Sequence, residues 1–554
     1  MRLYESKFTA GWELPDLCND LSISLRLLVD SRFPFTHPHA AVFPPPPTLT
    51  LPNMEEQGLL CLFPEGALTS VERLEAVVME LLQDAQDLVN GWAAGTSLER
   101  FEDEFQSYWI RWPRNKQQFV SLCATGGESR WVYAFYERNF TIVADDEHTL
   151  KSWVANYFTP NSKVSIQTIP LVKLPCPPRP EKYPSSVGDL FALLNDEEAA
   201  LTMLQTHISS NPDKTKGVLL AFTGRRGFGF AGLILPRNDK KLENGFRKGH
   251  TPPHILMHRY LAYSITGGTV SRCDPSWVHG RDHNPDIFTF GKKTVVLLGV
   301  GSLGSGVAEL LAKIGVGKLI LIDPEFMAAE NASRHSLGIR SMFRKKASDL
   351  ALNLSKRFPH LQFESYCDEW EHCFQQQPSI IASADLVIST IGVWTAESSL
   401  NALVHDSKEF SPILFGWLEE HAAAGHAATF VKGNGCLRCL TDDLGRPRNP
   451  VTKWPDGATQ RQIPMCGGMF QPYGATELTF AQSLVADLAS DILLNRIDTS
   501  THRVWIGQKK VLNLEKGEWH PSWIARNGDP EVGGRLVDLT ITNDPYCPIC
   551  GEPQ

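Results

Sequence analysis

The sequence predicts an α/β protein whose C-terminal half forms a parallel sheet with helices on both faces, and three observations support this fold class. Continuous apolar runs at residues 294–298, 319–322 and 386–388 are typical of strands that are buried on both faces. Segments with helical periodicity lie between these runs. A glycine-rich turn directly follows the first run and opens a helix, as in nucleotide-binding sheets. Ahead of this half we expect a smaller α+β domain and a mixed α/β linker domain.

The composition fits a chain of several soluble domains and excludes some function classes. The 554 residues carry a net charge of −9, which gives no electrostatic argument for a nucleic-acid partner. No apolar run reaches the roughly 18 residues of a membrane span, and the N-terminal residues lack the apolar core of a secretory signal. The twelve cysteines include two CxxC pairs, which favours a reducing compartment, so we expect a cytoplasmic enzyme.

Changes in composition divide the chain into three predicted domains, which span residues 1–100, 101–280 and 281–554. In the first domain, apolar residues recur at helical spacing over residues 70–92, and Ser70 is the expected N-cap of that helix. The second domain contains strand-like runs and a proline-rich linker at residues 170–184. It carries no motif with a chemical role, so we expect a scaffold or adaptor there.

The glycine-rich turn predicts a nucleotide site. Gly299, Gly301 and Gly304 follow the first buried strand, and glycines let the backbone approach phosphate oxygens at a helix N-terminus. Asp323 ends the next strand about twenty residues later, where a carboxylate can bind a ribose hydroxyl. Taken alone, this pattern would suit a nicotinamide-dependent oxidoreductase equally well.

Three polar side chains beyond the second strand favour ATP. Asn331, Arg334 and Lys346 supply an amide, a guanidinium and an ammonium, which suit a triphosphate whose charge must be neutralised during transfer. Hydride transfer needs no such cluster. The neighbouring Lys345 is expected to be an ordinary surface charge.

Residues 299–346 resemble the nucleotide-binding core of the ThiF/MoeB and ubiquitin-activating enzymes, including the sequence Ile322-Asp323-Pro324. The resemblance covers residues 290–554 and implies a Rossmann-like adenylation domain that uses ATP with Mg²⁺ and pairs into a homodimer. By that likeness Asp323 holds the ribose, while Asn331, Lys346 and the catalytic Arg334 hold the phosphates. Arg281 is the candidate for an arginine that reaches across the dimer interface.

One position departs from the family's pattern. Gly392 follows the strand at residues 386–388, where the family places an aspartate that binds Mg²⁺. Either a nearby acid such as Asp385 substitutes, or the metal is held differently. The departure weakens the catalytic assignment and leaves the nucleotide-binding assignment in place.

Two CxxC pairs predict a structural zinc site whose ligands are Cys436, Cys439, Cys547 and Cys550. Four thiolates close a tetrahedral Zn²⁺ site and leave no open position for catalysis. A redox-active CxxC pair is the alternative. The resemblance to ThiF/MoeB proteins implies paired cysteines in these places.

Cys466 lies between the first CxxC pair and a helical run at residues 475–494. Thiolates attack activated carbonyl groups, and a nearby helix N-terminus lowers a thiol pKa. The resemblance to activating enzymes implies that Cys466 forms a thioester, and a buried structural cysteine is the alternative.

The segment from Leu51 to Leu62 resembles the His-Pro-Asn…Cys-Leu signature of ubiquitin-conjugating enzymes. Asn53 precedes Cys61 by the family's spacing, whereas Leu51 stands in the place of the histidine. The resemblance implies that Cys61 carries a thioester and that Asn53 stabilises the oxyanion when an amine attacks. A fold that only binds its partner is the alternative.

A conjugating-like domain ahead of an activating-like domain resembles the fusion proteins encoded in bacterial CBASS anti-phage operons. That likeness implies adenylation of a protein's C-terminal carboxylate, a thioester on Cys466, transfer to Cys61 and an isopeptide bond to an amine on another protein or a small molecule. The implied protein substrate is a cGAS-like nucleotidyltransferase. The alternatives are a sulfur-carrier adenylyltransferase of the ThiF/MoeB type, with no role for Cys61, and a non-catalytic nucleotide-binding adaptor, which Gly392 favours.

Overall fold

The structure is a computed structural model that describes residues 7–14, 22–47, 49–63, 70–96, 98–112, 114–137, 140–157, 165–210, 214–247, 250–406, 411–464 and 469–551. The described residues form two compact units. The first lies within Met1–Lys151 and Lys163–Cys273, and the second within Ser152–Ser162 and Asp274–Gln554. No helix in the described ranges is both long enough and apolar enough to cross a bilayer. The predicted boundary between residues 100 and 101 stays a prediction.

The first unit begins with an antiparallel sheet of three strands in sequence order, which are β1 (Ala10–Leu14), β2 (Ser24–Val29) and β3 (His39–Phe43). Helix α1 (Leu74–Ala93) buries one apolar face, which includes Leu81 and Leu88. The helix begins later than predicted, because a short 3-10 turn at Val71–Arg73 precedes it. Ser70 forms no side-chain cap bond, so its expected role as the N-cap of this helix is wrong.

A closed barrel with the strand order β10-β4-β6-β5-β7-β8-β9 forms the rest of the first unit. Its strands are β4 (Asn115–Ser121), β5 (Arg130–Tyr136), β6 (Phe140–Ala144), β7 (Ile166–Leu174), β8 (Lys216–Gly224), β9 (Gly227–Leu235) and β10 (Thr266–Arg272). The accompanying helices are α2 (Arg100–Asp103), α3 (Phe105–Arg111), α5 (Val187–Leu193), α6 (Glu198–Ser210) and α7 (Pro253–Leu261), and α4 (Glu147–Tyr157) has residues in both units. A Cβ atom on Gly232 or Gly268 would lie within 2.6 Å of the Phe119 ring, so glycines let this ring fill the barrel.

The proline-rich linker expected from residue 170 onwards begins later than predicted. Pro170 lies inside β7, opposite Trp131 of β5. The pairing of β7 with β8 begins only at Leu171, so the missing N–H of the proline costs no bond on that side.

The second unit contains a sheet with the strand order β13-β12-β11-β14-β15-β16-β20-β22. Its strands, with the short strands of the same unit, are β11 (Thr294–Leu298), β12 (Lys318–Ile322), β13 (Gln362–Tyr366), β14 (Leu386–Ser389), β15 (Ile413–Leu418), β16 (Ala424–Thr429), β17 (Thr452–Lys453), β18 (Arg461–Gln462), β19 (Met469–Phe470), β20 (Thr501–Gln508), β21 (Glu518–Trp519) and β22 (Gly533–Thr540). Strands β11 to β15 are parallel, which confirms the predicted fold class. Strands β16, β20 and β22 add an antiparallel extension that the sequence did not predict.

Helices cover both faces of the parallel strands, as predicted. The helices of this unit are α8 (Pro275–Gly280), α9 (Ile287–Phe290), α10 (Ser302–Lys313), α11 (Lys346–Arg357), α12 (Trp370–Gln376), α13 (Ser379–Ala382), α14 (Trp394–Asp406), α15 (Leu437–Leu440), α16 (Ala475–Leu493), α17 (Lys509–Asn513) and α18 (Pro521–Asn527). Val295 and Leu297 of β11 pack in the core formed with α10, α11 and α16. Val296 and Leu298 pack in the opposite core with α12, α13 and α14, so the strand is buried on both faces.

Candidate functional sites

The glycine-rich turn lies at the carboxyl end of β11, where the chain enters α10. Gly299 adopts a left-handed backbone (φ +80°), and its N–H donates to the carbonyl of Ile322 at 2.9 Å. A Cβ atom on Gly304 would lie 2.0 Å from the carbonyl oxygen of Gly299, so only glycine fits there. A Cβ atom on Gly301 would project into open space. The turn therefore leaves room at Gly301 for a ligand such as a phosphate.

Asp323 follows β12 directly beside this turn and is only 4% exposed. One carboxylate oxygen accepts the N–H of Val300 and the other accepts the N–H of Glu325, each at 2.8 Å. Burial raises the pKa of the Asp323 carboxyl group, and the two backbone N–H groups oppose that rise. Each oxygen keeps a lone pair for a ligand hydroxyl, which suits the predicted contact with ribose.

Two of the predicted phosphate ligands lie on the segment that follows β12. The side-chain oxygen of Asn331 accepts the N–H of Ala328 at 3.0 Å. The guanidinium of Arg334 lies 4.4 Å from the ring centroid of Tyr473, and its buried Nε has no hydrogen-bond partner among the described residues. A buried donor without a partner is costly, so this guanidinium fits a site that receives an anion.

The third predicted phosphate ligand, Lys346, begins α11 and is 4% exposed. Its ammonium forms an ion pair with the carboxylate of Glu325, whose backbone N–H is bound to Asp323. The positive charge of Lys346 also favours the ionised form of Asp323 and so opposes the rise in its pKa. The structure therefore connects two predicted ligands through Glu325, a residue that the sequence analysis did not single out.

The sequence analysis missed two residues that lie beneath the turn, His335 and Thr390. His335 is buried, and its Nε2 lies 2.7 Å from the carbonyl oxygen of Val300. Burial lowers the pKa of His335 to about 4, so the ring is neutral at pH 7 and donates to that carbonyl. The hydroxyl of Thr390 donates to the carbonyl of Gly299 at 2.6 Å. His335 directly follows the predicted phosphate ligand Arg334 in the sequence, and this neighbouring position could have indicated that His335 belongs to the site.

Of the two alternatives for the missing acid, the one that uses Asp385 does not agree with the structure. Asp385 lies at the amino end of β14, where it accepts hydrogen bonds from Lys293 at 3.0 Å and from the N–H of Thr294 at 2.8 Å. The turn with Gly392 lies at the opposite, carboxyl end of the strand. There the N–H of Gly392 donates to Glu397 at 3.3 Å, and burial raises the pKa of that carboxyl group to about 7.

The four cysteines of the two CxxC pairs come together. The Sγ atoms of Cys436, Cys439, Cys547 and Cys550 all lie within 4.8 Å of one another. The Sγ atoms of Cys436 and Cys547 are 3.6 Å apart and those of Cys439 and Cys550 are 3.3 Å apart, far longer than the roughly 2.05 Å of a disulfide. Thiolates at about 2.3 Å from a central Zn²⁺ would stand at similar separations, so the cluster fits a structural zinc ion.

Cys61 and Asn53 are also brought together, across a turn between β3 and α1. The N–H of Cys61 donates to the carbonyl of Asn53 at 2.8 Å, and the side-chain amide of Asn53 donates to the carbonyl of Cys61 at 3.3 Å. Cys61 is exposed at the surface, whereas Asn53 is buried. Partial withdrawal of the thiol from solvent raises the pKa of Cys61, and the carboxylates of Glu104 and Glu55 raise it further.

Two other predicted residues have no described contact with these sites. Cys466 lies outside the described residues, so its role stays a prediction. Arg281 ends α8 in a left-handed conformation (φ +48°) and is exposed. Its proposed reach across a dimer interface also stays a prediction.

The two glycines of the turn provide a matched test of the nucleotide site. Replacing Gly304 with alanine is expected to lower the free energy of unfolding by about 3 kcal/mol, because the added methyl group overlaps the carbonyl oxygen of Gly299. Gly301→Ala should leave stability unchanged and weaken ATP binding, because its methyl group occupies the open space. Urea unfolding and calorimetric titration measure both effects. Equal ATP affinity in Gly301→Ala and the wild type would contradict a phosphate position above this turn.

Comparison with known proteins confirms the two resemblances. The ThiF family model matches residues 288–509, and the prokaryotic E2 family B model matches residues 4–118. The chain is 23% identical to "ATP-dependent ubiquitin transferase-like protein Cap2" of Pseudomonas aeruginosa, over 94% of this chain and 90% of that protein. The protein of the same name from Vibrio cholerae is 25% identical over 44% of this chain and 42% of that protein.

Other similarities cover a smaller part of the chain or concern the fold alone. "Ubiquitin-like modifier-activating enzyme 5" of Dictyostelium discoideum is 26% identical over 26% of this chain and 41% of that protein. Among solved structures, Escherichia coli MccB with ATP covers 65% of this chain and 84% of its own chain, at 14% identity and a TM-score of 0.34.

Proposed function

Because the chain joins a ThiF-family domain to a domain of prokaryotic E2 family B, we propose that it uses ATP to activate the C-terminal carboxylate of a protein and then conjugates that protein to an amine. The observation that carries this proposal is the presence of both domains in one chain that aligns along 94% of its length with a relative named as an ATP-dependent ubiquitin transferase-like protein. Activation alone would leave the N-terminal domain without a role.

The proposed reaction has four steps. A carboxylate oxygen of the substrate attacks the α-phosphorus of ATP, and pyrophosphate leaves. The thiolate of Cys466 attacks the acyl-adenylate, and AMP leaves. The thiolate of Cys61 then takes the acyl group, so that one C–S bond forms as the other breaks. Finally an amine nitrogen attacks the thioester carbonyl, the C–S bond breaks to release the Cys61 thiolate, and the nitrogen loses a proton to solvent.

The surroundings of the glycine-rich turn support the adenylation step. In this proposal Asp323 binds the ribose, and the phosphates lie above Gly301 at the N-terminus of α10. The unpartnered Nε of Arg334 and the ammonium of Lys346 would stabilise charge on the phosphates as pyrophosphate departs. Lys346 would first have to exchange its ion pair with Glu325 for one with a phosphate.

Neither Gly392 nor Asp385 can supply a Mg²⁺ ligand at the carboxyl edge of the sheet. We therefore assign Mg²⁺ only as the ion that accompanies the phosphates of ATP. A structural Zn²⁺ would be held by the four cysteines, outside the reaction.

The substrate and the setting belong to the same proposal. By the likeness to CBASS fusion proteins, the activated protein is a cGAS-like nucleotidyltransferase, the acceptor is an amine on a protein or small molecule, and the reaction serves bacterial anti-phage defence in the cytoplasm. The proposal also includes a homodimer that forms through the adenylation domain and has Arg281 at its interface.

A two-part assay tests this function. The purified chain, with Mg²⁺, ATP and a peptide that ends in the tail of a cGAS-like nucleotidyltransferase, is expected to exchange labelled pyrophosphate into ATP. It should also form a covalent adduct that added thiol removes. Cys61→Ala should keep both signals and lose transfer to amines, whereas Cys466→Ala should keep only the exchange.

The results of this assay distinguish the proposed function from its alternatives. Failure to exchange pyrophosphate with any carboxylate tail would indicate the non-catalytic adaptor. If Cys61→Ala exchanges pyrophosphate and still transfers the acyl group to amines at the wild-type rate, Cys61 has no role in conjugation.

A further inference from the structure

Three buried polar side chains form a hydrogen-bonded row across the antiparallel part of the C-terminal sheet, and the row ends at a cavity. Nε2 of His426, on β16, lies 3.1 Å from the carboxylate of Glu419. Nδ1 of His426 lies 3.0 Å from Nε2 of His502, on β20. All three residues are more than nine-tenths buried. The proposed reaction uses none of them.

Hydrogen bonds hold Glu419 as an ionised acceptor. Its carboxylate accepts the backbone N–H groups of Val451 and Thr452 at 2.7 Å and 2.8 Å, and the hydroxyl of Thr452 at 2.6 Å. Burial raises the pKa of Glu419, but its contacts with His426, Thr452 and Val451 outweigh burial and hold this pKa below its usual value. An ionised carboxylate only accepts hydrogen bonds, so Nε2 of His426 carries a proton.

This proton determines the hydrogen-bonding role of every other nitrogen in the row. When each ring holds one proton, Nδ1 of His426 is an acceptor and Nε2 of His502 donates to it. Nδ1 of His502 then keeps a lone pair, and it has no hydrogen-bond partner among the described residues. Burial and the neighbouring His426 hold the pKa of His502 well below its usual value. Without a further partner, this nitrogen therefore stays unprotonated at pH 7.

The cavity that His502 lines has a net positive wall. It measures about 340 Å³, and its charged lining residues are Arg448, Asp544 and Arg526. Arg448 pairs with Asp544 at 3.0 Å, whereas Arg526, on α18, has no ion pair with any described residue. Cys439 also lines the cavity, and its charge would be shared with the predicted zinc ion. The wall therefore offers one spare guanidinium and one spare ring nitrogen.

The remaining wall is largely apolar or aromatic. The ring of Trp417 stacks on that of His502 with centroids 5.4 Å apart, and the apolar lining residues include Leu440, Leu539 and Ile541. A single water needs only about 10–15 Å³ of such space. The cavity therefore has room for an organic group beside an anionic one.

We propose that this cavity binds a phosphate monoester together with one proton, which a phosphate oxygen shares with Nδ1 of His502, while Arg526 pairs with the other phosphate oxygens. A phosphate monoester loses its second proton near about pH 6, so it can share a proton with a histidine ring, whereas a carboxylic acid is already ionised there. If Nδ1 of His502 takes the proton, the proton on Nε2 passes to Nδ1 of His426. The positive charge then lies beside Glu419, which stabilises it.

Calorimetric titration of the full-length protein with phenyl phosphate tests this proposal. At pH 8, in two buffers that differ in heat of ionisation, we expect uptake of about one proton per phosphate, because phosphate and histidines are unprotonated in solution at this pH. His502→Gln should lose that uptake and bind about 10-fold more weakly, because the shared hydrogen bond is gone. His283→Gln, which changes an exposed histidine, is the matched control and should behave as the wild type.

A second variant does not disturb the buried row. Arg526 is exposed, so Arg526→Gln should fold normally, keep the proton uptake and bind phenyl phosphate about 10-fold more weakly. Phosphate bound at the glycine-rich turn would respond to neither variant, so the two sites are distinguished. A wild type that takes up no proton, uptake that persists in His502→Gln, or an affinity that both variants leave unchanged would overturn the proposal.

Inorganic phosphate identifies the source of the phosphate group. It is expected to bind more weakly than phenyl phosphate, because it leaves the apolar wall uncovered. Equal or tighter binding of inorganic phosphate would assign the cavity to the free ion and overturn the monoester.

Discussion

Removing zinc is expected to release residues 541–551 from the C-terminal domain and to lower its free energy of unfolding by several kcal/mol. The four thiolates would lose their shared cation, and apparent binding energies at structural zinc sites are about 10–16 kcal/mol in small peptides. The salt bridge of Arg448 with Asp544, at 3.0 Å, is the one charge contact of that tail in the described structure, and a partly exposed pair contributes little. The tail should therefore exchange its amide hydrogens rapidly in metal-free protein.

Hydrogen exchange and metal analysis check this result. Cys439→Ser should bind less than one zinc ion per chain and show the same loss of protection as chelated protein. Cys176→Ser, which changes an exposed free cysteine, is the control and should retain both metal and protection. Full protection of residues 541–551 in metal-free protein would exclude the structural zinc site and leave the redox-active alternative.

Mild acid is expected to destabilise the second unit. Burial lowers the pKa of His335 to about 4, and burial together with the neighbouring His279 lowers the pKa of His360 to about 4. An unfolded histidine has a pKa near 6.5, so between about pH 6.5 and 4 the unfolded chain binds protons that the folded unit excludes. The stabilisation from these neutral rings is complete above about pH 6.5 and is lost as the pH falls towards 4.

The size of this effect follows from the two rings. Between pH 6.5 and 5.5 each ring loses about 1 kcal/mol of this stabilisation, so the pair lowers the free energy of unfolding by about 2 kcal/mol, against a typical total of 5–15 kcal/mol. Urea unfolding across this range measures the slope. His360→Gln should flatten the slope by about one proton, whereas the exposed His283→Gln should not. A slope that His360→Gln leaves unchanged would contradict the assignment.

The sequence was most informative where structure is determined locally. The buried runs that became β11 and β12 and the glycines between β11 and α10 were predicted because their patterns span only a few residues. Cys436 and Cys547 were expected to meet because two CxxC pairs suit a single zinc ion, and the structure brings their Sγ atoms to 3.6 Å of each other.

The remaining features depend on contacts between distant residues. The barrel closes where β4 pairs with β10, and no local sequence pattern predicts that pairing. Glu104 meets Asn53 through packing of α2 and α3, from 51 residues away in the chain. Asp385 was one of two alternatives for the missing acid, and it lies at the amino end of β14, because proximity in sequence does not distinguish the two edges of a sheet.

We expect the parallel pairing of β4 with β10, which joins distant parts of the chain, to form late during folding. Contacts between distant segments form late, because the intervening chain must first lose its conformational freedom. The indole N–H of Trp109, on the helix that carries Tyr108, donates to the carbonyl of Gly268 in β10 at 2.9 Å. In a newly made chain we therefore expect the helix that carries Tyr108, and with it the contact of Tyr108 with Asn53, to become fixed only as the barrel closes.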